Sequence, residues 1–147
     1  MKIVFDTNVL VRAAGRPDCA AFAAIQLALT RSHVPVVSDD LADETARVLA
    51  YPRVRELFRS TEVERAAFLE VYYAAAERFE PTSTTAVTAD SADDPIAALA
   101  MQSGTEVLVT LDKHFYDPEA RTRLEAAGVR VMTDVELLRR LRSEPEA

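Results

Sequence analysis

Short apolar segments alternate along the chain with longer segments in which apolar side chains recur at helical spacing. The short segments carry few polar residues, as expected for strands that are buried on both faces of a sheet. They predict strands at residues 2–5, 34–37, 106–111 and 129–132. Pro35 has no backbone N–H, so the second strand is expected at a sheet edge, or with this residue near its start.

The longer segments predict helices at residues 18–32, 38–50, 61–79, 93–103, 118–127 and 134–142. Ser38 can cap one helix, and Thr61 with Glu64 forms a capping box at the start of another. Gly104 and Gly128 follow two of the segments, where a left-handed residue commonly ends a helix.

The helix at 61–79 is predicted to bury one stripe of side chains, which consists of Phe68, Val71, Tyr72 and Ala75. The Thr- and Ser-rich segment 81–89 predicts a loop. Alternating strands and helices joined by short loops predict an α/β protein with a parallel sheet and helices on both faces. We expect one domain at residues 1–142 and a flexible C-terminal tail at 143–147.

Composition narrows the functional classes. The chain has 147 residues and a net charge of −7, which disfavours a protein that holds duplex DNA through a broad basic face. This charge does not disfavour a nuclease whose acidic residues gather at a metal site. The single cysteine, Cys19, cannot form an internal disulfide, and the N-terminus has no signal-peptide pattern. We therefore expect a cytoplasmic protein with no membrane association.

Acidic residues follow or flank the predicted strands. Asp6 comes directly after the first strand, and Asp112 comes directly after the strand that contains VLVTL. Glu44 lies in an early part of a helix, and Asp93 with Asp94 opens another. Because ligands of open parallel sheets bind beyond the carboxyl ends of the strands, these acids can meet in one crevice. Such a cluster needs a cation to neutralise it, and carboxylates suit Mg²⁺ or Mn²⁺.

Each acidic residue also has an ordinary structural interpretation. Glu44 and Asp94 taken alone are typical of solvated or first-turn helix residues, whereas the set of acids together favours a metal site. We interpret His33 and His114 as surface or turn residues, because their spacing does not suit metal ligation. A small-molecule phosphatase is a less favoured alternative, since such enzymes place a second Asp two residues after the first, where Asn8 stands here.

Several segments together resemble a known family. IVFDTNVLV, LADETARVLAYPRV, DSADDPIAALA and LVTLDKHF, in this order, resemble the PIN domain, and more narrowly its VapC-like bacterial toxins. The resemblance implies a three-layer α/β/α fold and a Mg²⁺- or Mn²⁺-dependent ribonuclease acting on single-stranded RNA. It implies catalytic and metal-binding roles, with one or two ions, for Asp6, Glu44, Asp93 and Asp112.

The resemblance also implies supporting roles and partners. Asn8 and Thr110 would support the acids, and Asp94 would be an additional ligand. Arg12, Arg53 and Lys113 are the expected substrate-binding residues. The chain would be the toxin of a type II toxin–antitoxin pair, held inactive by a cognate antitoxin protein, and would form a homodimer. The alternative is a catalytically weak module that binds RNA or a protein partner.

Overall fold

The computed structural model describes residues 1–82 and 94–145, and the side chain of Asp94 is not described. Within these residues, five parallel strands form one sheet in the order β3-β2-β1-β4-β5. The strands are β1 Lys2–Phe5, β2 Val34–Val37, β3 Glu77–Arg78, β4 Val107–Val109 and β5 Arg130–Met132. Val4 pairs with Leu108, which pairs in turn with Val131, so the apolar strands predicted from the sequence form the centre of the sheet.

Eight α-helices flank the sheet in the described part of the chain. They are α1 Thr7–Gly15, α2 Ala20–Thr30, α3 Asp39–Leu49, α4 Pro52–Arg55, α5 Glu62–Ala75, α6 Asp94–Gln102, α7 Pro118–Ala126 and α8 Asp134–Ser143. A 3₁₀ turn covers Lys113–Tyr116. The predicted capping box of Thr61 and Glu64 is present, and Gly104 and Gly128 have positive φ, as predicted.

Successive side chains of β1 face opposite layers of helices. Ile3 and Phe5 pack in one apolar cluster with residues of α1, α2 and α8. Val4 packs in a second cluster with residues of α3, α6 and α7. Each fully buried aliphatic side chain contributes roughly 1.5–3 kcal/mol. The two clusters confirm the predicted α/β/α architecture with a central parallel sheet.

The structure corrects the prediction at α5 and β3. The helix predicted to reach residue 79 ends at Ala75, and the next residues form the short strand β3. The N–H of Phe79 donates to the Val37 carbonyl at 2.9 Å, so pairing with β2 replaces further helical hydrogen bonds. The predicted buried stripe is wrong at Val71, which is 62% exposed, and at Ala75, which is also exposed.

Of the two positions predicted for Pro35, a sheet edge or a strand start, the structure shows the second. Because β3 pairs with Val36 and Val37, strand β2 is not an edge strand within the described sheet. Pro35 comes before the residues that pair with β3, and this position near the strand start tolerates its missing N–H.

The C-terminal residues contact the start of the chain. Helix α8 includes Ser143, and the Glu144 carboxylate lies 3.5 Å from His33 Nε2. His33 Nδ1 lies 2.9 Å from the amino group of Met1. The domain limit at residue 142 stays a prediction. Among the described helices none combines the length and the apolar character that crossing a bilayer requires.

Candidate active site

The candidate crevice lies where the strand order of the sheet reverses. From β1 the chain proceeds to β2 and β3 on one side and to β4 and β5 on the other. The carboxyl ends of β1 and β4 therefore border the position at which parallel α/β sheets bind ligands. Asp6 directly follows β1, and Thr110 and Asp112 follow β4.

Three hydrogen bonds fix the position of Asp6. Its Oδ1 accepts from the N–H of Thr7 at 2.7 Å, which makes Asp6 the N-cap of α1. Its Oδ2 accepts from the hydroxyl of Thr110 at 2.7 Å, and its own N–H donates to the Val109 carbonyl at 2.9 Å. The side chain is only 7% exposed. These contacts fix the carboxylate in one orientation at the floor of the crevice.

Thr110 connects Asp6 to the other residues at this edge. Its fully buried hydroxyl donates to Asp6 and accepts from the N–H of Asp112 at 3.0 Å. The Tyr116 hydroxyl donates to the Thr110 carbonyl at 2.7 Å. Thr110 thus positions both aspartates, whereas the sequence suggested its supporting role only through the family resemblance.

Burial raises the pKa of the Asp6 carboxyl, and electrostatic repulsion from Glu44 and Asp112 raises it further. The hydrogen bonds from Thr110 and Thr7 lower this pKa and partly offset the rise. Repulsion of this kind requires short distances, because water screens charges that lie farther apart. The structure therefore brings Glu44 and Asp112 each within electrostatic reach of Asp6.

Asp112 has a second contact that the sequence analysis missed. Its Oδ1 accepts from the N–H of His114 at 3.0 Å and lies 3.1 Å from His114 Nδ1. Both contacts depend on the 3₁₀ turn, in which Asp112 is the N-cap. His114 therefore lies in a turn, as interpreted, but its ring touches a candidate site residue. In the sequence, the signal for this contact is the two-residue spacing of Asp112 and His114. This spacing predicts a contact only when the type of turn is known.

Glu44 faces the start of α6. It lines a cavity of about 410 Å³ together with Pro95 and Ile96, so the N-terminal end of α6 lies beside α3. The candidate ligand Asp93 lies outside the described residues, and the position of the Asp94 side chain is likewise not described.

The polar and basic residues expected at the site are all exposed. Asn8 and Arg12 are exposed on α1 and line a cavity of about 380 Å³ whose wall includes Leu111. Lys113 is exposed directly after Asp112. Arg53 is exposed on α4 but is absent from the wall of this cavity.

The donor chemistry of the crevice fits a hard divalent cation. In residues 1–82 and 94–145, no three His, Cys, Asp or Glu side chains are close enough together to hold an ion by themselves. Mg²⁺ keeps several waters and commonly uses one or two carboxylates, so a complete protein cage is not required. Asp6 is the described residue that would hold it, with Asp112 or Glu44 as a second carboxylate and water in the remaining positions. The buried hydroxyl of Thr7, the residue after Asp6, has no hydrogen-bond partner in the described part of the chain, a feature that the sequence does not reveal.

Comparison with known proteins agrees with this architecture. A family model described as the PIN domain matches residues 2–114. A PilT N-terminus domain protein, SSO1118, from the hyperthermophilic archaeon Sulfolobus solfataricus P2 has a similar structure, with a TM-score of 0.52. Its sequence is 9% identical, and the alignment covers 100% of this chain and 98% of that chain, so this likeness shows the fold. No curated protein matches the sequence. The chain belongs to the PIN-domain family, whose members are typically nucleases that use divalent metal ions.

Proposed function

We propose that the protein is a Mg²⁺- or Mn²⁺-dependent endoribonuclease that hydrolyses phosphodiester bonds of single-stranded RNA. The observation that carries this proposal is the buried Asp6 carboxylate, which faces repulsion from Glu44 and Asp112. No Lys or Arg of the described residues forms an ion pair with Asp6. A buried charge without a counter-charge is costly, and a divalent cation would supply that counter-charge.

Some residues of the chain would bind the ion, and others would orient the residues that bind it. Asp6, Glu44 and Asp112 would hold the ion, with Asp93 and Asp94 as further candidate ligands. When bound, such an ion supplies Lewis-acid polarisation of a phosphoryl oxygen and lowers the pKa of a bound water. Thr110 keeps both aspartates oriented, because one hydroxyl contacts the side chain of Asp6 and the N–H of Asp112.

The groups around the acids suit a polyanionic strand. Arg12 and Lys113 are exposed on the segments that follow Asp6 and Asp112, and they would offset the negative charge of the acids toward a phosphate. Asn8 would donate a hydrogen bond there. Arg53 would contact the strand farther out. We further propose the role of toxin in a type II toxin–antitoxin pair, with a cognate antitoxin protein as inhibitor, a homodimeric state and a cytoplasmic location. The single cysteine agrees with a reducing compartment.

A second candidate function is an RNA-binding or partner-binding module with little turnover. Two observations favour it. Both carboxylate oxygens of Asp6 already accept hydrogen bonds, and the described residues contain no complete group of three metal ligands. The two candidates differ in whether RNA is cut, so a cleavage assay distinguishes them.

The test is cleavage of an end-labelled single-stranded RNA by the purified full chain in Mn²⁺, Mg²⁺ or EDTA, with single-stranded DNA of the same sequence in parallel. The proposal expects cleavage of RNA with either ion, no cleavage in EDTA, and loss of activity in Asp6→Asn. Asp134→Asn is the matched control, because Asp134 is also a buried acid at a helix start, at 5% exposure. Equal inactivity of wild type and Asp6→Asn in both ions, with RNA still bound, would favour the module instead.

A further inference from the structure

A basic groove runs along the outer edge of β5, between α7 and α8. It encloses about 510 Å³, and its lining includes Arg121, Arg130, Arg139 and Arg140. Strand β5 is the last strand on its side of the described sheet, so the groove lies beside an unpaired strand edge. Four arginines around one groove are unexpected in a chain with a net charge of −7.

Much of this positive charge is available to a ligand. Arg130 and Arg139 are exposed, and neither pairs with an acidic side chain in the part of the chain that the structure describes. Two glutamates, Glu125 and Glu136, also line the groove. Glu136 keeps its negative charge while it accepts from the N–H of Thr133 at 3.3 Å, and Arg140 pairs with Glu144 at 3.7 Å. The positive charge that is free for a ligand therefore comes chiefly from Arg130 and Arg139.

A continuous series of contacts connects this groove to the acidic crevice. The guanidinium of Arg121 lies over the ring of Tyr116, 5.5 Å from its centroid. The Tyr116 hydroxyl donates to the Thr110 carbonyl at 2.7 Å, and the Thr110 hydroxyl donates to Asp6 at 2.7 Å. The groove therefore approaches the crevice at its Arg121 end. From there it follows β5 to Arg130, which pairs with Val107 toward the opposite edge of the sheet.

We propose that this arginine groove binds the phosphates of the RNA strand on one side of the bond to be cleaved. The inference rests on the proposed ribonuclease function and identifies where the rest of the substrate is held. Guanidinium groups bind phosphate through paired hydrogen bonds, and sites for single-stranded nucleic acids combine a basic groove with aromatic rings such as that of Tyr116. The groove also explains how a chain with excess negative charge can hold a polyanion.

An acidic peptide that adds a strand to β5 is the competing occupant, because it would also match the charge and the free strand edge. The contacts through Tyr116 and Thr110 favour RNA, since they connect the groove to the residues proposed to act on RNA. A glutamate-rich peptide therefore belongs in the test as a competitor.

The experiment measures binding of a fluorescein-labelled single-stranded RNA by anisotropy in EDTA, over a range of salt concentrations. The test variant combines Arg130→Ala with Arg139→Ala. The control combines Arg59→Ala with Arg142→Ala, which removes the same charge from exposed positions outside the groove. Binding weakens as salt rises, and each phosphate contact on a single strand makes the slope of log K against log salt steeper by about 0.7. Two lost contacts therefore make the slope shallower by about 1.4. If the two proteins bind equally at ~1 M salt, the variant binds about 25-fold more weakly at ~0.1 M salt.

The inference expects this loss in the groove variant, little change in the control, and a raised KM with unchanged kcat for RNA cleavage. It is overturned if both variants lose affinity equally, if neither does, or if the glutamate-rich peptide binds wild type and the groove variant still binds RNA normally. If wild type cleaves RNA, Asp6→Asn does not, and the groove variant binds RNA like wild type, only this inference fails. If wild type neither binds nor cleaves RNA, both the proposed function and this inference fail.

Discussion

Replacing Thr110 by Val tests whether one hydroxyl organises the acidic crevice. Valine has nearly the same shape, so the change removes the donor to Asp6 and the acceptor for the Asp112 N–H with little effect on packing. A hydrogen bond to a charged group contributes about 1.5–3 kcal/mol, and the Thr110 bond lies at a site with no exposed area. We expect a loss of about 2–3 kcal/mol in the free energy of unfolding at neutral pH in EDTA. At ~3 °C per kcal/mol for a chain of this size, Tm falls by about 6–9 °C.

The pH dependence of this loss identifies its cause. The pKa of Asp6 is raised in the folded protein, chiefly by burial, and the Thr110 hydroxyl partly offsets that rise. Below about pH 3.9 the carboxyl is protonated in both folded and unfolded chains, so the hydroxyl bonds only a neutral group. Above the folded pKa the carboxylate is ionised, and the lost hydrogen bond costs most. The destabilisation by Thr110→Val must therefore grow as the pH rises from about 4 to about 8.

Thermal unfolding in EDTA at several pH values measures this effect, with Thr110→Ser and Thr45→Val as controls. Thr110→Ser keeps the hydroxyl and should keep the pH dependence of wild type. Thr45 is equally buried, but its hydroxyl donates to the neutral Leu41 carbonyl at 2.8 Å, so its replacement should cost a pH-independent amount. If Thr110→Val destabilises the protein equally at all pH values, the hydroxyl does not stabilise the ionised form of Asp6.

Three further variants probe the site and the core. Asp6→Asn should raise the Tm of the metal-free protein at neutral pH and flatten the decline of Tm with rising pH. The reason is that the pKa of Asp6 is higher in the folded than in the unfolded chain, so ionisation of this carboxyl destabilises the fold. An unchanged pH profile in thermal unfolding would contradict this. Tyr72→Phe should leave Tm unchanged or slightly higher, since the buried hydroxyl has no hydrogen-bond partner within the described structure; a clear drop would reveal one. Gly15→Ala should lower the urea unfolding free energy by about 1–3 kcal/mol, because the added Cβ would lie 2.8 Å from Phe58 Cε1; wild-type stability would mean that this ring moves freely.

The sequence predicts those parts of the molecule that depend on local patterns. Asp6 and Asp112 could be placed at one sheet edge because each directly follows an apolar segment predicted to be a strand, and parallel strands share that edge. Strand β3 could not be predicted, because its two residues extend an Ala-rich helical segment and form a strand only through pairing with β2.

The features of the site that the sequence could not predict depend on three-dimensional contacts. The role of Thr110 depends on hydrogen bonds across the crevice, and the contact of His114 with Asp112 depends on a 3₁₀ turn. The arginine groove was missed because its residues come from α7, β5 and α8, whereas the sequence shows only the acidic net charge. Whether Asp93 joins the other acids remains a prediction, since it lies outside the described residues.

The central claim is that a divalent ion binds among the carboxylates at the ends of β1 and β4. Anomalous diffraction from crystals soaked in MnCl₂, recorded on both sides of the manganese absorption edge, tests this claim most directly. The account predicts a manganese peak in contact with Asp6 and Asp112 and on the side of Glu44, and its disappearance in crystals of Asp6→Asn. Manganese bound only at other acidic residues, or a peak that persists in Asp6→Asn, would contradict it.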